Sequence, residues 1–474
     1  MEYNHGVAYK PENLSASVYT LEHADKAGAK YVRIYWVDLA NIRRCRLLPI
    51  QYFKELISSN RPGVNVANVS LGLIYLITPP TFSAIGEYLY APEIATLRPL
   101  PFAPGHFGVL GHFQEKTPYA GPDGALTVDV PLCPRTVLKR VVEDARNACG
   151  VDFLVGFETE FILLSSTRPV VASNEHQWSG SGGFLAGSKE ATLLEEIGQG
   201  MTDSGLSLQM LHSEAAPGQY EVVSGPLSPL DAADQVVFVR ELVVNLAAKH
   251  GLHATFAPRP FMGTAGSSAH VHISVHRRGV GADKPLNEMS KDEAMFLAGV
   301  LEHLPAIPAI TLPTPASYKR VADGVWSGGT YIHYGTENRE APVRLTNVTS
   351  PQSRNFEMRF VDGTANPHLA LAAIIGAGLT GLKTKKLLEV KDCRGPKPAW
   401  EMDDAERMAL GITKRMPLSI EEARANLAQD VVLKDVLGSV LVEKYLSVNK
   451  TLGDALSNQG ETEEQELSRL VEFY

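Results

Sequence analysis

The stretch VGFETEF, Val155 to Phe161, decides how the chain is read. Glu158 and Glu160 are two apart, so on a strand, where side chains alternate faces, both carboxylates point the same way. Phe157, Thr159 and Phe161 are good β-formers and would pack on the opposite face. Two adjacent carboxylates repel, and burying them is costly unless something positive lies between them. An isolated E-x-E is most often the acidic face of a solvated edge strand. The sharper alternative is a divalent-metal shelf in a cleft, built from the hard oxygen ligands that Mg or Mn prefers. Further carboxylates and a histidine elsewhere in the chain would favour the shelf.

Working outward, CPRTVLKRVVEDARNACG (Cys133–Gly150) predicts a helix leading into this strand. Pro134 suits the first turn, apolar residues recur at three- and four-residue spacing, and Gly150 can close it. Downstream, Ser173–Gly187 reads as a mobile Gly/Ser/Asn-rich loop and Thr192–Ser204 as a helix. LSLQMLHSEAAPGQYEVVSG (Leu206–Gly225) reads as two strands about a Pro–Gly turn, and Ala232–His250 as a long helix. Upstream, LEHADKAGAK predicts a helix, and Tyr31–Val37 a strand that returns through a turn at Asp38–Asn41. A short helix follows around Gln51–Ser58, and VSLGLIYLI (Val69–Ile77) is a strand or a buried segment, which periodicity does not separate. Four prolines between Pro92 and Pro104 mark a stiff stretch, so the expected domains are 1–105 and 106–474. The chain from Ser419 onward is mostly helical and charged. Strands separated by long helices without regular βαβ alternation favour an α+β fold.

The 474 residues allow about two or three domains. A hydrophobic content of 44% suffices for a sizeable core, and a net charge of −9 without basic tracts speaks against a nucleic-acid partner. Cys45, Cys133, Cys149 and Cys393 are scattered without metal-finger spacing and read as reduced thiols in a cytoplasmic protein. MEYNHGVAYK lacks a signal-peptide pattern. The most lipid-like run, LALAAIIGAGLTGL from Leu369, falls short of the ~20 residues that span a bilayer, so a buried core helix is expected and no membrane partner.

Glu214 and Glu221 flank the APGQ turn, although surface hairpins often carry such pairs. In GTAGSSAHVHISV, His270, His272 and Ser274 alternate; a lone histidine pair is more often structural than ligating. ENREAPVRL carries Arg339 and Arg344, and RNFEMRFVD carries Arg354, Glu357 and Arg359. Such arginines either salt-bridge a surface strand or, in a cleft, clamp carboxylates and phosphates. Together, five carboxylates, one or two imidazoles and several guanidiniums form the inventory for metal-assisted phosphoryl transfer to a carboxylate.

At these residues the chain resembles the glutamine synthetase family over nearly its whole length. The matching motifs are DLANIRR, TLRPLPF, CPR, GFETEF, HSEAAPGQYE, HATFAPRPF, GSSAHVHIS, SYKR, ENREAPVRL and NFEMRF–D–NPHLALAA, individually weak but specific in this order. The resemblance implies a small N-terminal β-grasp domain and a larger catalytic domain with a curved antiparallel sheet flanked by helices. It implies a ring-shaped homo-oligomer (decamer or dodecamer) whose sites lie between neighbouring subunits. By motif, Glu160, Glu214 and Glu221 match the ligands of one Mg or Mn ion, and Glu158, His270 and Glu357 those of a second. His272, Ser274 and Arg344 match nucleotide contacts, with ATP as the nucleotide. Gly266, Arg320, Arg339 and Arg359 match groups that hold substrate, Arg339 and Arg359 being the catalytic arginines.

The departures concern ammonium. Where the family has an ammonium-binding aspartate, NVANVSLG places Ala67; the flap glutamate after SYKR aligns with Trp326, which would give the substrate a flat apolar wall. Asparagines are replaced by Ala265 and Ala316. Ammonium needs a carboxylate to bind it and a base to activate it, so apolar groups here suit a larger, less basic or already neutral amine. The implied activity is an ATP-dependent ligase joining glutamate to an organic amine. The alternatives are an ordinary glutamine synthetase and a non-catalytic regulatory or structural relative. All six metal positions are filled, which argues against the last.

Overall fold

Val151–Thr167 forms a single strand of 17 residues at the heart of a nine-stranded sheet. The computed structural model describes residues 4–121, 124–175, 182–279, 285–325, 328–457 and 460–474. The long strand lies between Gln219–Ser224 and Val271–Arg277, antiparallel to both. Leu208–Ser213 extends the sheet on one side; Asn355–Met358, Val343–Thr346 and Tyr334–Thr336 extend it on the other. Phe157, Thr159 and Phe161 are buried as expected, with Phe153 and Val155 on the same side. Each such aromatic or branched side chain removed from water contributes ~1.5–3 kcal/mol, so this face fixes which way the strand lies.

The helices that cover the core centre on Pro367–Thr384, the LALAAIIGAGLTGL run, whose side chains are nearly all buried. It packs against Pro134–Asp144, Pro229–Lys249 and Lys291–His303. Among the described residues no helix is long and apolar enough to cross a membrane. Arg135, from the CPR motif, grips Asp234 with Nε and Nη2 at 2.8 Å, and His368 Nε2 lies 2.8 Å from the same carboxylate. Burial opposes the ionised Asp234, but Arg135 and His368 outweigh it and hold its carboxyl well below the usual range. Arg135 Nη1 also donates to Gly111 O at 2.9 Å, tying these helices to the N-terminal sheets.

Those are two four-stranded sheets. The first runs Arg43–Pro49, Tyr31–Val37, His106–Val109, Arg98–Pro99, and the second Val64–Ala67, Glu87–Pro92, Gly111–Ala120, Leu126–Asp129. The turn of the DLANIRR motif is held by Asp38, whose Oδ1 accepts from the N–H groups of Ala40 and Ile42 at 2.9 Å. The expected domain division at 105/106 falls between Arg98–Pro99 and His106–Val109, which pair within one sheet.

VSLGLIYLI is neither a strand nor buried throughout. Asn68–Leu71 makes a helical turn, and Ile74 and Ile77 form an isolated bridge about Tyr75, whose φ is +50°. That reversal buries Leu71 and Ile74 while Leu76 is 91% exposed. The described part of Ser173–Gly187 beyond the strand end has no helix or strand; 176–181 lie outside the described residues.

Candidate active site

Strand register alone aligns the polar side chains. Glu221 pairs with Glu160, and one strand further out His212 pairs with Glu221. On the other side His272 pairs with Gly156, Glu357 with His272, and Arg344 with Glu357. Paired residues share a face and the side-chain period is two, so His212, Glu221, Glu160, Glu158, His272, Glu357 and Arg344 form one row across the sheet. Slipping any strand by one residue would turn its member into the core. The hairpin register depends on Gly218 at the turn, with φ +64°, where a Cβ would stand 2.5 Å from Leu163 O.

At the hairpin end, His212 Nδ1 is 3.3 Å from Glu214 and its Nε2 is 3.1 Å from Glu221. Burial pushes Glu214 up to about 7 and Glu221 up to about 8, with Glu160 and Glu158 adding repulsion. The hydrogen bond to Glu221 raises His212 to about 9. Buried Glu160 is also raised, although Gln219 Nε2 (2.8 Å) and the Ser268 N–H (3.0 Å) donate to it. Burial first, and repulsion among the glutamates second, thus raise the carboxyls of this cluster.

In the middle of the row, Glu158 lies 3.0 Å from His270 Nδ1 and 2.9 Å from His272 Nε2. His272 Nδ1 reaches Asn355 Oδ1 at 2.8 Å. Burial works against charge on both partners, but the Glu158 carboxylate raises His272 to about 9 and is itself held well below the usual range. His270 behaves oppositely: burial, then Arg359, lowers it to about 4. It is therefore neutral, with Nδ1–H donating to Glu158 and a buried Nε2 that lacks a partner among the described residues. A carboxylate-oriented imidazole with a free lone pair is the usual preparation for binding a metal.

Glu357 takes Arg344 Nη1 at 3.0 Å and Arg359 Nη1, and lies 3.5 Å from His270. Burial opposes its charge, yet Arg359 and the two histidines bring it down to about 2. Arg344 Nε and Arg359 Nε are buried and unpaired among the described residues. Two groups thus each bring three ligand atoms within 4.8 Å of one another: Glu158, His272 and Glu357, and His212, Glu214 and Glu221. The donor sets suit divalent cations beside guanidiniums suited to anionic oxygens.

All six expected metal residues converge on this face. Within them, Glu160 turns to Ser268 and Gln219, while His212 stands between Glu214 and Glu221. His212 was missed: the pair symmetric about Pro217–Gly218 is 214 and 221, and the observed register is offset from it so that His212 faces Glu221. Ser274 pairs with Leu154 further along the same face and bonds His276 Nε2 at 2.7 Å. There the sheet opens to a cavity of about 830 Å³, lined by Leu154, His276 and Tyr9 among others. Arg320 is fully buried and donates to the carbonyls of Arg359 (3.0 Å) and Val361 (3.2 Å). Gly266 permits that packing, since a Cβ there would lie 2.5 Å from Arg320 Cγ. Arg339 is exposed in the turn after Tyr334–Thr336, without an ion pair among the described residues; Trp326 lies outside them.

A largely antiparallel sheet thus carries two carboxylate–imidazole clusters that could hold cations, beside guanidiniums. The family model for the glutamine synthetase catalytic domain matches residues 131–469, and the chain belongs to the glutamine synthetase family. It is 32% identical to Protein fluG of Emericella nidulans over 92% of this chain and 48% of that protein, so it spans about half that relative's length. It is 33% identical to the gamma-glutamylpolyamine synthetase GlnA3 of Streptomyces coelicolor, covering 70% of this chain and 71% of that one. The fold matches the GmaS/ADP complex (Conformation 1) with a TM-score of 0.77 at 24% identity, over 95% of this chain and 99% of that one.

Proposed function

We propose that the chain is an ATP-dependent ligase that converts the γ-carboxylate of glutamate to an acyl phosphate and passes the acyl group to an organic amine. The graded row carries this reading: buried, mutually repelling carboxylates at one end, and at the other arginines whose buried Nε–H groups have no partner among the described residues. Divalent ions held by Glu160, Glu214, Glu221 and His212, and by Glu158, His270, His272 and Glu357, would neutralise phosphate oxygens. Arg344 and Arg359 orient the transferring phosphoryl group, and exposed Arg339 closes on it from the neighbouring turn. Arg320 positions Arg359 through its carbonyl. The adenosine part of ATP fits the cavity beyond Ser274.

Ala67 ends an N-terminal strand and is exposed, with no carboxylate of its own to bind ammonium. The polyamine activity named for GlnA3 supports an organic acceptor. Eight to ten residues after Ala67 in the chain, exposed Tyr75, Leu76 and Ile77 form an apolar stretch that a second copy would cover in a ring-shaped homo-oligomer. We place the domain division near residue 130, where the small sheets end and the family match begins.

ADP release with glutamate and a panel of ammonium, alkylamines, polyamines and aromatic amines tests the reading. An organic amine is expected to exceed ammonium by about tenfold or more in kcat/KM. Ammonium matching every organic amine would make the protein an ordinary glutamine synthetase, and no glutamate-dependent release with any acceptor would leave the non-catalytic reading.

A further inference from the structure

An acyl transfer to an amine that arrives as a cation needs a proton acceptor, and Ala67 offers none. One carboxylate near the phosphate-facing arginines has an oxygen to spare. Glu340 lies in the turn between Tyr334–Thr336 and Val343–Thr346. Its carbonyl accepts from the Gly329 N–H at 2.8 Å, tying this turn to the segment after residue 327. Two residues on, Pro342 O accepts from the Arg359 N–H at 2.9 Å. A Cβ built on Gly328 would lie 3.8 Å from Arg359 Cβ, so the segment, the turn and Arg359 meet at one corner.

Glu340 Oε2 is enclosed and has no hydrogen-bond partner among the described residues, and Arg359 Nε is likewise enclosed and unpaired. Among the described residues, two further carboxylates near this corner, Asp323 and Glu357, are engaged. Asp323 accepts from the Thr330 N–H at 3.0 Å and Oγ1 at 2.7 Å and pairs with Arg415, and Glu357 holds Arg344 and Arg359. Glu401, whose charge also acts on Glu340, is exposed. An enclosed carboxylate oxygen left unpaired is unfavourable unless a donor arrives. Burial also pushes the Glu340 carboxyl upward, with Arg359 opposing, which makes it a stronger base than a solvated glutamate.

We propose that Glu340 binds the incoming amine and takes its proton, and that the acceptor class is therefore a primary alkylamine or polyamine rather than an aromatic amine. The inference rests on the ligase reading above. The alkylammonium gives one proton to Glu340 and becomes nucleophilic. Its lone pair forms the C–N bond at the acyl carbon, the C–O bond to phosphate breaks with its electrons leaving on phosphate, and the second N–H proton goes to that phosphate. Protonated Glu340 then releases its proton to solvent.

Glu340→Gln keeps the shape and removes the basicity. Two acceptors are compared in this variant and the parent: the best alkylamine of the panel and hydroxylamine, which is largely unprotonated at neutral pH and draws on the same acyl phosphate. Transfer to the alkylamine is expected to fall about 100-fold and hydroxamate formation less than about fivefold, with Glu340→Asp recovering part of the alkylamine rate. Equal losses with both acceptors, an undiminished alkylamine rate, or an aromatic amine as the best substrate overturns the assignment. Failure of the parent protein to form hydroxamate from glutamate and ATP overturns the ligase reading itself, and the inference with it.

Discussion

Glu221 and Glu357 are both buried members of the same row, three strands apart, yet burial pushes Glu221 up to about 8 whereas Glu357 is brought down to about 2. Desolvation acts on both; the difference is their neighbours. Glu221 faces glutamates and one shared histidine, while Glu357 has Arg359, His270 and His272. The hairpin end must therefore draw positive charge from solution, and the arginine end brings its own and can spare N–H groups for an anion. Glu158 stands where the two regimes meet, touching both histidines. Its loss should cost most. Glu158→Ala is expected to lower metal-dependent ADP release about 1000-fold, with the far-UV circular dichroism unchanged. Near-normal turnover in folded protein would remove the basis for treating the row as one site.

A sharper test separates the ends. Arg344→Ala is expected to lower kcat about 100-fold while the metal concentration for half-maximal activity stays within about twofold. His212→Ala should do the reverse, raising that metal concentration about tenfold with a smaller effect on kcat at saturation. Metal titrations of both variants read this directly. If Arg344→Ala shifts the metal requirement and His212→Ala does not, the assignment of cations and anions to the two ends is inverted.

The sequence was informative wherever a local rule had one outcome. Alternation placed Glu158 and Glu160 on one face and Phe157, Thr159 and Phe161 on the other, and the Pro–Gly turn folded Glu214 and Glu221 into one neighbourhood about His212. What stayed hidden was nonlocal. The CPR arginine carries no visible purpose until Asp234 and His368 meet it from distant helices. VSLGLIYLI gave no sign of its reversal at Tyr75, because an apolar run has the same composition whether it extends or turns back. The burial of Arg320 under Gly266 is likewise a close approach that only tertiary packing defines. Glu340 was passed over because a glutamate beside an arginine is normally a surface pair; its unpaired oxygen is visible only in three dimensions.

The smallest expected effect concerns protons and follows from the same contrast. In the folded chain Glu214 and Glu221 hold protons to about 7 and about 8 against an ordinary 4.5, and His212 to about 9 against 6.5. All three shifts are upward, so above the ordinary values the folded chain binds more protons here than the unfolded chain. Stability from these groups therefore falls as pH rises, the carboxylate share between 4.5 and about 8 and the imidazole share between 6.5 and about 9. A divalent ion must displace those protons, so its binding strengthens over the same window. Glu357, ionised from about 2 upward, adds no slope there. Thermal melts with and without Mg or Mn should show a metal-induced rise in Tm that is larger near pH ~8.5 than near pH ~6.5, a few-fold gain in apparent affinity per pH unit. Glu221→Gln should flatten that dependence, because one of the displaced protons is gone, and Arg344→Ala should leave it in place. A slope that survives Glu221→Gln and disappears in Arg344→Ala would move the proton-holding cluster to the other end of the row.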